Sequence, residues 1–180
     1  MAEASTVPTS IQLGYLTILN EGAGQLGGLL ITNCWGRPIE FRLSTAVQPN
    51  RLQQILYGPT LQEYISADLI GKTLIDKSST SIHLLVVDSP SLLTIRTRLE
   101  YPVVAIPFAD EALGDEFAVL KHARCSKSLI LSSKHSADSE RLLAILDRID
   151  VGLDLCEPFN RIREAISEAR RMGVQNRVAA

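Results

Sequence analysis

Aromatic residues are scarce in this sequence: one tryptophan, four tyrosines and four phenylalanines make up 5% of its 180 residues. The core must therefore be built from Leu, Ile, Val and Ala, because hydrophobic residues still reach 46%. Charge of one sign is also lacking. Eighteen Lys and Arg against 20 Asp and Glu leave a net charge of −2, so no global field steers the chain onto nucleic acid or an anionic membrane. No stretch approaches the roughly 18–20 apolar residues of a membrane span, and the first ten residues have neither the basic region nor the apolar run of a secretory signal. Cysteine is limited to Cys34, Cys125 and Cys156, an odd number without disulfide-like spacing, which fits a reducing compartment. Together these absences describe a cytoplasmic protein that needs neither disulfide nor metal to fold.

What is present is strong patterning. A chain of 180 residues is most simply one domain, long enough to bury roughly 70% of the surface of its unfolded form. The most strongly specified stretch is Gly27 to Thr45, read as a β-hairpin. From Ile39 onward apolar and polar residues alternate, with Ile39, Phe41, Leu43 and Thr45 on one face and Glu40, Arg42 and Ser44 on the other. Leu29, Ile31 and Thr32 suit the partner strand, and Asn33 to Pro38 supplies the turn. Gly14 to Asn20 reads as an earlier strand and Glu21 to Leu26 as a glycine-rich connection, which gives a three-stranded antiparallel meander.

After Pro49 the period becomes helical. Asn50 caps a short helix through Tyr57, and Thr60-Leu-Gln-Glu63 is a capping-box pattern opening a helix over about Leu61 to Asp76. Ile82 to Asp88 is apolar almost throughout, as a strand covered on both faces would be; Ser89-Pro90 opens a short helix to about Thr97, and Pro102 to Pro107 is another apolar strand. Strand, helix and strand in that order imply a parallel crossover. Ala109 to Glu116 reads as a solvated acidic loop, Phe117 to Leu120 and Leu129 to Leu131 as strands, and Ser136 to Ile149 and Pro158 to Met172 as two closing helices. The expected fold is an α/β domain over residues 11–173, with a mixed sheet made of the meander and the βαβ unit. A flexible arm over 1–10 and a tail over 174–180 complete the chain.

Several patterns bear on chemistry. Gly22-Ala-Gly24-Gln-Leu-Gly27 matches the G-x-G-x-x-G spacing, but a strand follows it where a phosphate-binding loop needs a helix N-terminus. Gly71-Lys72-Thr73 resembles the end of a P-loop yet lies inside the expected helix. His122, Cys125, His135 and Cys156 could supply a zinc site, although their spacing is not that of a structural zinc module. His83, inside an apolar strand, is read as a neutral, hydrogen-bonded histidine. Asp88 ends a buried strand and precedes Ser89 at a helix start, where α/β sheets bind ligands, and where capping alone could also account for both residues. The turn Cys34 to Pro38 carries the lone Trp35 beside Arg37; these two form a partner-binding tip if exposed, or fold back over their own sheet. Arg161, Arg163, Arg170 and Arg171, interleaved with Glu157, Glu164 and Glu168, read as a solvated helix face.

In outline, the glycine-flanked hairpin followed by helices resembles the profilin-like domains of roadblock and longin proteins, which are scaffold and regulatory modules. The parallel unit from Ile82 to Pro107 departs from their pattern, and no functional residue is carried over. The reading with the fewest assumptions is a non-catalytic cytoplasmic interaction or regulatory subunit. It would work through Trp35 and Arg37 or a sheet edge, with a protein partner or its own copy, and without cofactor, metal, nucleic acid or membrane. The alternative is a small-ligand sensor or hydrolase-type enzyme using Asp88 and Ser89.

Overall fold

Among the described residues, seven strands form one mixed sheet in the order β3-β2-β1-β4-β5-β7-β6. The structure is a computed structural model and describes residues 10–22, 24–107 and 113–173. The expected arm, apart from Ser10, the expected tail and part of the acidic loop lie outside these. The meander is β1 (Gln12–Glu21), β2 (Gly24–Asn33) and β3 (Pro38–Leu43), paired antiparallel. β4 (Leu84–Val87) runs parallel to β1, and β5 (Val103–Ala105) parallel to β4. β6 (Phe117–Leu120) and β7 (Leu129–Ser132) form an antiparallel pair that joins β5 through β7. The sheet is thus mixed α/β, as the sequence predicts, and its parallel centre departs from the profilin-like outline.

Each face of the sheet is covered by a helical pair. α1 (Arg51–Tyr57) is closed by a capping box in which the Asn50 side chain accepts from the Gln53 amide. A 3₁₀ turn, Gly58–Thr60, leads into α2, one helix made of Leu61–Glu63, a π-helical stretch Tyr64–Lys72 and Thr73–Asp76. The Thr60 box is not formed: the Thr60 hydroxyl donates to the Tyr57 carbonyl at 2.7 Å, because the chain arrives already helical and leaves no extended cap residue. α3 (Pro90–Arg98) is 3₁₀-helical, and α4 (Asp138–Leu146) and α5 (Glu157–Arg171) follow β7. Ile65, Ile70 and Leu74 of α2 and Leu92, Leu93 and Ile95 of α3 pack with Leu16, Leu29, Ile31, Leu85 and Val87 on one face. On the other face Leu142 and Ile145 of α4 and Phe159, Ile162 and Ile166 of α5 pack with Leu13, Tyr15, Leu30, Leu84, Val86 and Val104. Coverage of both faces is why β4 and β5 are apolar at every position. No helix among the described residues is long and apolar enough to cross a membrane.

The glycines of the G-x-G-x-x-G pattern belong to this layering. Only Gly22 lies in a turn; β2 begins at Gly24, so the expected connection over Glu21 to Leu26 is a tight hairpin. A Cβ on Gly27 would come within 2.3 Å of Ile70 Cγ2 of α2, and one on Gly28 within 2.5 Å of Ile162 Cγ2 of α5. The pair lets a helix approach each face of the same strand.

Candidate functional site

Asp88 stands at the carboxyl end of β4, beside Thr17 in the middle of β1, where the sequence placed a candidate ligand-binding group. Its carboxylate is already engaged. The fully buried Thr17 donates its hydroxyl to Asp88 Oδ2 at 2.5 Å, and Arg163 Nη2 of α5 lies 2.6 Å from the same oxygen. Burial raises the Asp88 pKa, and the Thr17 hydroxyl and Arg163 charge act against that rise. Asp88 does not cap α3, and the capping residue Ser89 makes no side-chain cap bond either; its hydroxyl pairs with Ser91 Oγ at 2.8 Å. Thr17, Asp88 and Arg163 therefore form a buried tie between β1, β4 and α5. Sequence reasoning missed its other two members because they lie 71 and 75 residues from Asp88.

The arginines of α5 are accordingly more than a solvated face. Besides Arg163, Arg161 donates to the Gly36 carbonyl at 2.9 Å while lying 3.0 Å from Glu157, and Arg170 pairs with Glu21 at the β1–β2 hairpin. Only Arg171 stays on the helix surface, 3.7 Å from Glu168.

Trp35 is 64% exposed and does not fold back over the sheet. The turn beneath it is held rigidly. Asn33 Oδ1 accepts the amides of Trp35 and Arg37, each at 3.0 Å, and the Asp150 amide donates to the Cys34 carbonyl at 2.9 Å. Gly36 has φ 77°, a conformation that disfavours other residues, and a Cβ there would also meet Leu153 Cδ1 at 2.7 Å. Beside the indole opens a cleft of about 390 Å³ lined by Trp35, Gly36, Asp150, Asp154, Glu157 and Arg161, among others. Its carboxylates come from the α4–α5 connection and the first turn of α5, which chain order alone could not bring to the hairpin.

A second cleft, of about 430 Å³, is lined by Lys121, His122, Cys125 and Lys127 among others. Cys125 meets Cys156 through a thiol hydrogen bond, which pulls the Cys125 pKa down to about 7 and pushes Cys156 up. His122 accepts the Arg124 amide at Nδ1 (3.1 Å) and faces Asp147 Oδ1 through Nε2 (3.0 Å), so both ring nitrogens are occupied and neither serves the Cys125 thiol. His135, in the short 3₁₀ turn Ser133–His135, joins no such contact with this group, and among the described residues no cluster of His, Cys, Asp or Glu has the arrangement of a metal site. His83 accepts the Gln12 amide at Nδ1 (3.0 Å), and burial lowers its pKa, consistent with a neutral hydrogen-bonded ring. Gly71, Lys72 and Thr73 lie within α2, and a Cβ at Gly71 would reach 2.7 Å from Ile95 of α3, so that glycine also serves helix packing.

Apolar side chains also reach solvent in groups on α1 and β3, and singly at Val119, Val151 and Met172. α1 buries none of its residues and leaves Leu52, Ile55 and Leu56 each more than half exposed. On β3, the alternation predicted a half-buried strand, yet only Leu43 is buried while Ile39 and Phe41 are 46% and 40% exposed. The reason is position: β3 is the last strand of the sheet. Compared with protein-family models and with curated proteins, the chain matches none.

Proposed function

We propose that this chain is a non-catalytic cytoplasmic interaction or regulatory subunit that engages a protein partner through Trp35 and Arg37. The observation that carries this reading is the lone tryptophan, 64% exposed on a turn tied to α5 and to the α4–α5 connection. An aromatic anchor held rigidly before binding loses little conformational entropy when it docks. The adjoining carboxylates of Asp150, Asp154 and Glu157 favour a partner that lays a basic side chain on the indole. The apolar face of α1 is a further surface of the same kind. The alternative ligand site at Asp88 and Ser89 is less well supported, since Thr17 and Arg163 hold the carboxylate and Ser89 has a serine as its partner.

The test is purification of the tagged full-length chain from its own cell, with mass determination of what is retained. A partner in fixed ratio is expected, and Trp35→Ala with Arg37→Ala should release it while leaving the melting curve unchanged. Retention of the same partner by the double variant would remove the tip from the proposal.

A further inference from the structure

We propose that the outer edge of β3 pairs antiparallel with the same edge of a second copy of this chain, about a two-fold axis through Phe41. This rests on the interaction reading above and names a partner for it. β3 is the terminal strand of the sheet and, among the described residues, is paired only with β2. Its backbone polarity follows from one bond. The Ser44 amide donates to the Gly27 carbonyl at 2.9 Å. Alternation along the registered pairs Leu29↔Arg42 and Ile31↔Glu40 then turns the amides and carbonyls of Arg42 and Glu40 toward β2. Those of Leu43 and Phe41 point outward, a ready template for another strand; at Ile39 the register shifts by one residue, so the alternation stops at Glu40.

The side chains decide which strand fits. Phe41 shares the α5 side with the buried Leu43 and is itself substantially exposed. Glu40 and Arg42 share the other. With the two-fold axis on Phe41, the two Phe41 backbones exchange hydrogen bonds, the two rings lie side by side, and Glu40 faces Arg42 of the second copy. Moving the axis to Glu40 or Arg42 sets like charges directly opposite each other, which is destabilising, and moving it to Ile39 or Leu43 loses the opposite-charge pair. The strand is thus self-complementary in a single register. Its charged face is also held in place before pairing. Glu40 accepts from the amides of Ser79 and Thr80 and the hydroxyls of Ser78 and Ser79, and pairs with Arg42 Nε at 2.5 Å. Pro38 opens the strand and the register shifts at Ile39, devices that blunt an edge at that end; Glu40 to Leu43 carry neither proline nor glycine, so the edge offered for pairing begins at Glu40. The opposite edge, β6, is Phe-Ala-Val-Leu, four residues without a charge to set a register.

The experiment is light scattering on the full-length chain over a dilution series up to about 200 µM, a range suited to a small edge-to-edge interface. The expected result is a species of twice the 19.7 kDa chain mass at the upper end. Phe41→Asp and Arg42→Glu should each weaken it about tenfold or more, whereas Arg42→Lys retains it. Amide hydrogen exchange at Phe41 should slow on concentrating the wild type and not the variants, which separates pairing from loss of folding. A monomer throughout the series, or a dimer indifferent to both variants, overturns the proposal. A monomer that still retains another protein in fixed ratio overturns it while leaving the Trp35 reading standing; a Phe41-dependent dimer that retains no other protein does the reverse.

Discussion

Gly28→Ala should destabilise this protein although alanine suits a strand better than glycine. The added Cβ would lie 2.5 Å from Ile162 Cγ2 and 3.3 Å from Ile166 Cδ1, against the roughly 3.5–4.0 Å at which carbon atoms attract. The first of these is a branch methyl on a stiff helical rotamer, so α5 itself must give way. It is poorly placed to do so, because Arg161, Arg163 and Arg170 tie it to Gly36, Asp88 and Glu21 along its length. Overpacking of this kind costs about 1–3 kcal/mol, and the smaller backbone entropy of the unfolded alanine chain offsets about 0.5–1 kcal/mol of that. A net loss of about 1–2 kcal/mol lowers the melting temperature of a chain this size by about 3–6 °C. Urea and thermal denaturation measure it. Gly22→Ala is the control, since nothing lies within 4 Å of its Cβ and its effect should stay within about 0.5 kcal/mol. Adding Ile162→Ala to Gly28→Ala should give a loss smaller than the sum of the two alone, by about 1 kcal/mol, because the truncation vacates the space the new methyl needs. Wild-type stability in Gly28→Ala, or strict additivity with Ile162→Ala, would refute the view that this glycine exists to admit α5.

Two further perturbations test the polar ties. Burial alone would raise the Glu40 pKa, but hydrogen bonds from Thr80, Arg42, Ser78 and Ser79 outweigh it and hold the carboxyl at about 2. The unfolded chain therefore binds the extra proton between about pH 4.5 and 2, so this stabilisation is complete above the unfolded pKa and disappears as pH falls through that window. Discounted for solvent screening at the sheet edge, Glu40→Gln should cost about 2 kcal/mol at pH 7 and flatten the acid limb of a stability-against-pH curve from urea titrations; an unchanged acid limb would contradict the role of this carboxylate. At Asp88, alanine leaves the fully buried Thr17 hydroxyl without its acceptor and should cost about 1–3 kcal/mol, whereas asparagine keeps an acceptor and should cost less than about 1 kcal/mol in the same assay. Because burial raises the Asp88 pKa, its contribution is largest below the unfolded value and is lost as pH rises through the folded one, a decline that Asp88→Asn should abolish. Equal losses from alanine and asparagine would remove the hydrogen-bond argument.

Much of the fold was legible because it is written in local periods. The alternation at Ile39 to Leu43, the unbroken apolar runs before Asp88 and Pro107, and the Asn50 cap each refer to neighbours a few residues away, and each appears in the structure as an element of the expected kind. Where a local rule met a different neighbourhood it failed. Thr60 has capping chemistry but sits in a chain that is already turning, and the apolar face of β3 was expected to be half-buried before the order of the strands was known.

The candidate sites divide in the same way. That Asp88 ends a buried strand, and that Trp35 and Arg37 occupy a turn, follow from the sequence by itself, since strand ends and turns are set by nearby residues. That Thr17 and Arg163 hold Asp88, that Arg161 anchors Gly36, that Trp35 adjoins carboxylates of the α4–α5 connection, and that β3 has, among the described residues, no strand beyond it are decisions of the tertiary structure. Each depends on which segments the sheet order and the two helical layers bring together across tens of residues. A one-dimensional period of two or 3.6 says which face of an element is apolar; it does not say what arrives to cover that face.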